Sequence, residues 1–189
     1  MKIKSQIAQW MKIKQNGEED NKNDDYLEYK ILVLGERMVG KSSICSRFAM
    51  NEFNLEIKPS TQCECYPKTI KLFDQLIKVY LIDVSSDSLK NPKSYLYTDV
   101  KGALLVYDIT KRSTFEQCKQ FMTDIRQIAE PDCVILLVGN KNDLQDQRQV
   151  EMDEAKRFAT ENKMYFIETS ALTKYKVTEA FEQLFECKF

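Results

Sequence analysis

The sequence predicts a doubly wound α/β domain with a phosphate loop after its first strand. Three observations carry this reading. Apolar runs alternate with amphipathic segments, a glycine-rich loop directly follows the first run, and 189 residues suit one domain with a sizeable core and a short extension. Hydrophobic residues make up 43% and charged residues 30%, a globular balance rather than a disordered one.

The elements follow in order. Residues 1–28 read as an N-terminal extension and linker, and residues 29–189 as the domain. In the extension, Ile3, Ile7, Trp10 and Met11 stand at helical spacing with Lys2, Lys4 and Lys12 around them. This is either a surface-binding amphipathic helix or a tail resting on the domain, and Lys14 near the apolar face favours the tail. Residues 31–34, 76–82, 103–107, 134–138 and 165–167 read as strands. Four are near-continuous apolar runs, which suits strands covered on both faces. Residues 63–71 predict a further strand, paired with 76–82 as a hairpin. Between strands, Ile44, Cys45 and Phe48 face inward on one helix. Phe115, Cys118, Met122, Ile125 and Ile128 define a second, opened by a capping box at Ser113 and Glu116. Ala155, Phe158 and Ala159 mark a third, and Val177, Ala180, Phe181, Leu184 and Phe185 the last.

Bulk properties exclude several function classes. A formal net charge of -1 gives no global field for nucleic acid or an acidic surface. No apolar run reaches membrane-spanning length, and the N-terminus lacks the apolar core of a signal peptide. The six cysteines (Cys45, Cys63, Cys65, Cys118, Cys133, Cys187) form no C-x-x-C pair, which predicts reduced thiols in the cytosol. There is no histidine. Chemistry therefore rests on carboxylates, hydroxyls, lysine, backbone groups or a bound ion.

Residues 35–42 read Gly-Glu-Arg-Met-Val-Gly-Lys-Ser, the pattern G-x-x-x-x-G-K-S between a strand and a helix. Gly35 and Gly40 let the backbone turn its N–H groups toward phosphate oxygens, with Arg37, Met38, Val39 and Ser43 completing the cradle. The helix start adds a positive dipole end. Lys41 neutralises the β- and γ-phosphates, and Ser42 offers a hydroxyl to Mg²⁺. Two further segments lie at carboxyl ends of parallel strands, where open α/β sheets bind ligands: Asn140-Lys141-Asn142-Asp143 and Glu168-Thr169-Ser170-Ala171. The Asp143 carboxylate can accept from both N1–H and the 2-amino group of guanine, a pair that adenine lacks. Lys141 would lay its stem over the base and the Ala171 N–H would meet O6, with Leu144, Ser170 and Leu172 beside them.

These motifs, together with Val106-Tyr107-Asp108-Ile109-Thr110 and Arg148-Gln149-Val150, resemble the Ras superfamily of small GTPases, and within it the Rab branch, from about Tyr29 to the end. The resemblance implies a small G-protein fold, a six-stranded and mostly parallel sheet with five helices, and two switch segments. It implies GTP or GDP with Mg²⁺ as ligands. Thr61 would be the switch I threonine that reaches Mg²⁺ and the γ-phosphate, Phe53 the aromatic beside guanine, and Asp83 the acid that holds Mg²⁺ through water. Effector, exchange-factor and activating proteins would read the switches. A monomer acting in vesicle traffic is expected, cytoplasmic or peripheral on the cytosolic face of endomembranes.

The chain also departs from the family. Where the family has Asp-Thr-Ala-Gly-Gln, this sequence has Asp83-Val84-Ser85-Ser86-Asp87. Ser86 keeps the N–H that meets the γ-phosphate but has less freedom than glycine. Asp87 replaces the water-orienting glutamine in the catalytic set with Lys41 and Thr61. An ionised carboxylate cannot donate a hydrogen bond and faces an anionic phosphate, so slow hydrolysis is expected. Residues 88–100 are one residue shorter than in a typical Rab. Arg37 takes a position that is usually small: it reaches the γ-phosphate, crowds the place of an activator's arginine, or is simply solvated. Cys187-Lys188-Phe189 is no C-a-a-X box, so no prenylation motif is recognised. Two functions fit: a slow GTPase switch, supported by Thr61, and a guanine-nucleotide-binding interaction module without a hydrolytic cycle, supported by the altered switch II. Asp143 and residues 168–171 argue against an adenine-nucleotide kinase or ATPase.

Overall fold

Six strands form one sheet in the computed structural model, which describes residues 27–54, 63–72, 75–85 and 99–186. The tail and linker, Thr61, Ser86, Asp87 and Cys187 lie outside the described residues. The strands are β1 (Leu27–Gly35), β2 (Glu64–Leu72), β3 (Gln75–Asp83), β4 (Val100–Asp108), β5 (Val134–Asn140) and β6 (Tyr165–Glu168), in the spatial order β2-β3-β1-β4-β5-β6. The expected hairpin is present, with β2 antiparallel to β3 and every other pair parallel. Four α-helices are described: α1 (Lys41–Met50), α2 (Arg112–Ile128), α3 (Met152–Glu161) and α4 (Val177–Glu186).

Period-two alternation splits the core into two layers. On β1, Leu32 and Leu34 join Phe115, Cys118, Ile125 and Ala155 from α2 and α3. Ile31 and Val33 point the other way, to Ile44 and Phe48 of α1 and to Phe181 and Leu184 of α4. Phe48 stacks on Phe181 with ring centroids 4.0 Å apart, fixing α1 against α4. Tyr107 and Phe115 meet edge to face at 5.1 Å, which anchors α2 on β4. With both faces covered, residues 31–34, 103–107 and 134–138 of the central strands form near-continuous apolar runs, as their sequences predict.

Two details differ from the sequence expectation. β1 begins at Leu27, because its backbone already pairs with Ile77 of β3 there. Leu27 and Glu28 are exposed, so no burial pattern marks them in the sequence. The capping box is not formed either. Lys111 is the N-cap of α2 and Ser113 lies inside the helix. Glu116 instead meets Lys119 at 2.6 Å, and at the helix start the Arg112 N–H donates to Gln149 Oε1 at 3.2 Å. No helix among the described residues is long and apolar enough to cross a membrane.

Candidate functional site

Five strands end at one edge of the sheet, and each ends on a residue or motif singled out in the sequence. β1 ends at Gly35, β3 at Asp83, β4 at Asp108, β5 at Asn140 and β6 at Glu168. Parallel direction puts these carboxyl ends side by side. The buried polar residues gather there too: Lys41, Ser43, Asp83, Ser85, Asp108, Asn140, Glu168, Thr169 and Ser170 all lie at this edge or in the elements that follow it.

At the phosphate-loop end, glycine is required by backbone and by space. Gly40 sits at φ 97°, and a Cβ there would come within 2.3 Å of Asn140 Nδ2. Its absence lets Asn140 donate from Nδ2 to Val39 O at 2.8 Å, which ties the loop to β5. Lys41 is buried and donates to Gly35 O and Glu36 O, both at 3.0 Å, so its ammonium spans the loop it follows. Burial lowers the Lys41 pKa, and the Asp83 charge opposes that shift. Arg37 and Met38 are exposed at the mouth, and Met38 has left-handed backbone at φ 65°.

Ser42 Oγ donates to Asp83 Oδ2 at 2.5 Å, although 41 positions separate them in the chain. Asp83 is fully buried, and its Oδ1 has no hydrogen-bond partner among the described residues. Burial raises the Asp83 pKa, while the Ser42 hydrogen bond and Lys41 pull it down. A buried carboxylate oxygen with spare capacity beside a hydroxyl is a hard-oxygen pair of the kind Mg²⁺ takes. No group of three or more His, Cys, Asp or Glu forms a metal cluster among the described residues.

At the base-reading end, side chains from two loops hold one another. Ser170 Oγ donates to Asp143 Oδ1 and in turn accepts from the Thr173 N–H at 3.1 Å. Asn140 Oδ1 accepts from Thr169 Oγ1 at 3.3 Å and from the Ala171 N–H at 3.2 Å, so the amide expected to face guanine O6 is shared with Asn140 here. Lys141 Nζ lies 2.6 Å from Asp108 Oδ2. Leu172 is exposed and Leu144 half-buried beside Asp143. Phe53 packs partly buried against the α1–α4 layer, with the Arg47 guanidinium 5.6 Å from its ring centroid. Arg47 Nε also donates to Ala171 O at 3.0 Å, joining α1 to the loop after β6.

A model of the Ras family matches residues 30–187, nearly all of the folded region. The chain belongs to the Ras family. Its relatives place it among the Rab-like small GTPases. It is 40% identical over 158 residues to Ras-related protein RABA6a of Arabidopsis thaliana, covering 83% of this chain and 67% of that protein. It is 41% identical over 161 residues to Ras-related protein Rab-11A of Dictyostelium discoideum, covering 85% and 75%. Ras-related protein RIC2 of Oryza sativa subsp. japonica is 38% identical over 161 residues, covering 85% and 74%.

In this Rab-like GTPase, the phosphate-loop and base-reading motifs come together at one sheet edge. Several residues there escape motif reading. Asn142 donates from Nδ2 to Glu168 Oε2 at 2.8 Å, and Arg148 grips both oxygens of the same carboxylate at 2.7 and 2.8 Å. Asn142 fills the variable position of N-K-x-D, and Arg148 lies 20 residues from its partner, so no local pattern announces either. For Arg47 the one sequence signal is a basic residue in the last turn of α1.

Proposed function

We propose that this Rab-like GTPase binds GTP and GDP with Mg²⁺, acts as a nucleotide-dependent switch in vesicle traffic on the cytosolic face of endomembranes, and hydrolyses GTP slowly. The nucleotide-binding unit in this reading is residues 29–189. The observation that carries it is Asp143, held by Ser170 at the same sheet edge as the phosphate loop. Its carboxylate selects guanine, Lys141 covers the base with its stem, and Ala171 supplies an N–H to O6. Asn142, Leu144 and Leu172 shape the surround, and Phe53 packs at the rim. The backbone of residues 35–43 cradles the phosphates at the start of α1, and Lys41 balances their charge. Ser42 and Asp83, with Thr61, would hold Mg²⁺, which would supply the positive charge that offsets the phosphates.

Slow turnover rests on the sequence after β3. Ser86 and Asp87 stand where the family uses glycine and glutamine, so the attacking water lacks its usual partner. Arg37 crowds the approach of an activating arginine. The same two substitutions support a second reading, an interaction module whose nucleotide is structural.

The test is to denature the purified chain, identify the released nucleotide, and follow single-turnover hydrolysis with Mg²⁺. Guanine nucleotide and slow turnover are expected, with Asp87→Gln raising the rate on the order of tenfold. Released adenine nucleotide would overturn the base assignment. Fast hydrolysis by the unaltered chain would overturn the account of Ser86 and Asp87, and no turnover in either form would leave the structural-nucleotide reading.

A further inference from the structure

Asp108 ends β4 and is 5% exposed, and the function proposed above gives it no role. The chain fixes its carboxylate closely. Oδ1 accepts from the Thr110 N–H at 2.8 Å and from the Thr110 hydroxyl at 2.7 Å. Its backbone N–H donates to Thr114 Oγ1 at 3.0 Å, and that hydroxyl donates to Lys111 O at 2.7 Å at the start of α2. The turn after β4 therefore clamps the carboxylate through Thr110, and the first turn of α2 fixes the backbone that carries it through Thr114.

Lys141 is the reverse case. Its backbone is left-handed, φ 67° and ψ 37°, a region that β-carbon sterics disfavour for lysine. Its side chain is a flexible four-carbon stem that loses much rotamer freedom when held. The β4–β5 register puts Asp108 opposite Asn140, so the carboxylate meets the side chain of the next residue, and Oδ2 lies 2.6 Å from the ammonium. A fixed anion thus ends a mobile stem that starts from strained backbone.

We propose that Asp108 is a positioning residue for nucleotide retention. It tethers the Lys141 ammonium so that the aliphatic stem stays laid across the purine plane, and it does so without touching the nucleotide. This rests on the base-site reading above. The tether acts on any purine face, so it sets how long a nucleotide stays and not which base is chosen; that choice remains with Asp143.

The experiment is a double-mutant cycle on the full chain, read as dissociation rates of fluorescent GDP and IDP with Mg²⁺ present. Asp108→Asn keeps the acceptor for Thr110 and removes the charge. Lys141→Met keeps the stem and removes the ammonium. Asp108→Asn is expected to speed release about fivefold, by the same factor for both nucleotides, and to add nothing in the Lys141→Met background. Asp108→Glu, which keeps the charge, should lie closer to the unaltered chain. Effects that add across the cycle, or no change in release, would overturn the tether while leaving the base site standing. Should Asp108→Asn unfold, Lys141→Met alone decides: it removes the ammonium that the tether holds and should speed release of both nucleotides by the same factor, and unchanged release overturns the tether. A full-length unaltered chain that retains no guanine nucleotide defeats the base-site reading itself and the tether with it.

Discussion

At the base-reading end, Asn140, Asp143 and Glu168 each hold protein partners, whereas at the phosphate end Asp83 Oδ1 and Glu36 Oε2 are, with the Tyr107 hydroxyl on β4, the buried side-chain polar atoms without a partner among the described residues. The base end is a set of cross-loop contacts made by the chain alone: Ser170 on Asp143, Asn142 and Arg148 on Glu168, Lys141 on Asp108. The phosphate end carries a left-handed Met38, a lysine satisfied by its own loop, and a carboxylate oxygen left over. A buried polar atom without a partner costs about 1–3 kcal/mol. On the proposed function, the two carboxylate oxygens at the phosphate end are the ones a ligand or metal would satisfy. The expectation is a base geometry that is set before binding and a phosphate geometry that binding finishes.

The largest expected effect breaks the base end. Asp143→Ala should reduce the preference for GDP over ADP on the order of a thousand-fold, because a site built to hydrogen-bond a ligand loses both acceptors at once. Unchanged discrimination in a competition assay would show that the carboxylate does not read the base. The next effect isolates the phosphate end. Chelating Mg²⁺ should speed GDP release on the order of a hundred-fold by removing a charge-neutralising bridge. Hydrogen exchange of the nucleotide-free chain should then show residues 35–43 losing protection well before residues 140–143 and 168–171. Equal loss at the two ends would erase the distinction drawn between them.

A smaller effect probes what joins the base loops. Asn142→Ala strips one donor from the buried Glu168 carboxylate and should speed GDP release about tenfold, near the cost of one charge-assisted hydrogen bond. Dissociation kinetics unchanged from the unaltered chain would make Asn142 a bystander. This contact also shows where sequence reading stops. The phosphate loop is legible because strand, glycines, lysine and helix are adjacent in the chain, and so is the β2–β3 hairpin, whose strands are neighbours. The Asn142–Glu168–Arg148 cluster spans three separate segments, and the Asp108–Lys141 pair depends on the β4–β5 register, so neither has a local signature. The Ser113–Glu116 capping box misleads for the opposite reason. The local pattern is present, but the chain enters the helix at Lys111 and a side chain 37 positions on, Gln149, accepts from the Arg112 N–H at its start. Thr61, Ser86 and Asp87 lie outside the described residues, so the switch expectations rest on sequence and family alone.

The smallest effect compares two strained residues, one at each end. Met38 and Lys141 have nearly the same left-handed backbone, φ 65° and 67°. Left-handed conformation costs a side-chain-bearing residue about 1–2 kcal/mol, and glycine gives back about 0.5–1 kcal/mol of that through greater freedom in the unfolded chain. At Met38 the side chain is 53% exposed and brings no ion pair, so relief of strain decides the sign. Met38→Gly should stabilise by about 0.5 kcal/mol, a rise of about 1–2 °C in Tm for a chain of this size. At Lys141 the ammonium is paired with the buried Asp108 carboxylate, and Lys141→Gly leaves that charge without its cation. The cost of an uncompensated buried charge exceeds the relief of strain, so Lys141→Gly should lower Tm. Thermal melts of the two variants without added nucleotide decide the matter. Opposite signs mean that strain at the base end is held by an ion pair while strain at the phosphate end waits for the ligand. Equal signs mean that the backbone alone sets both.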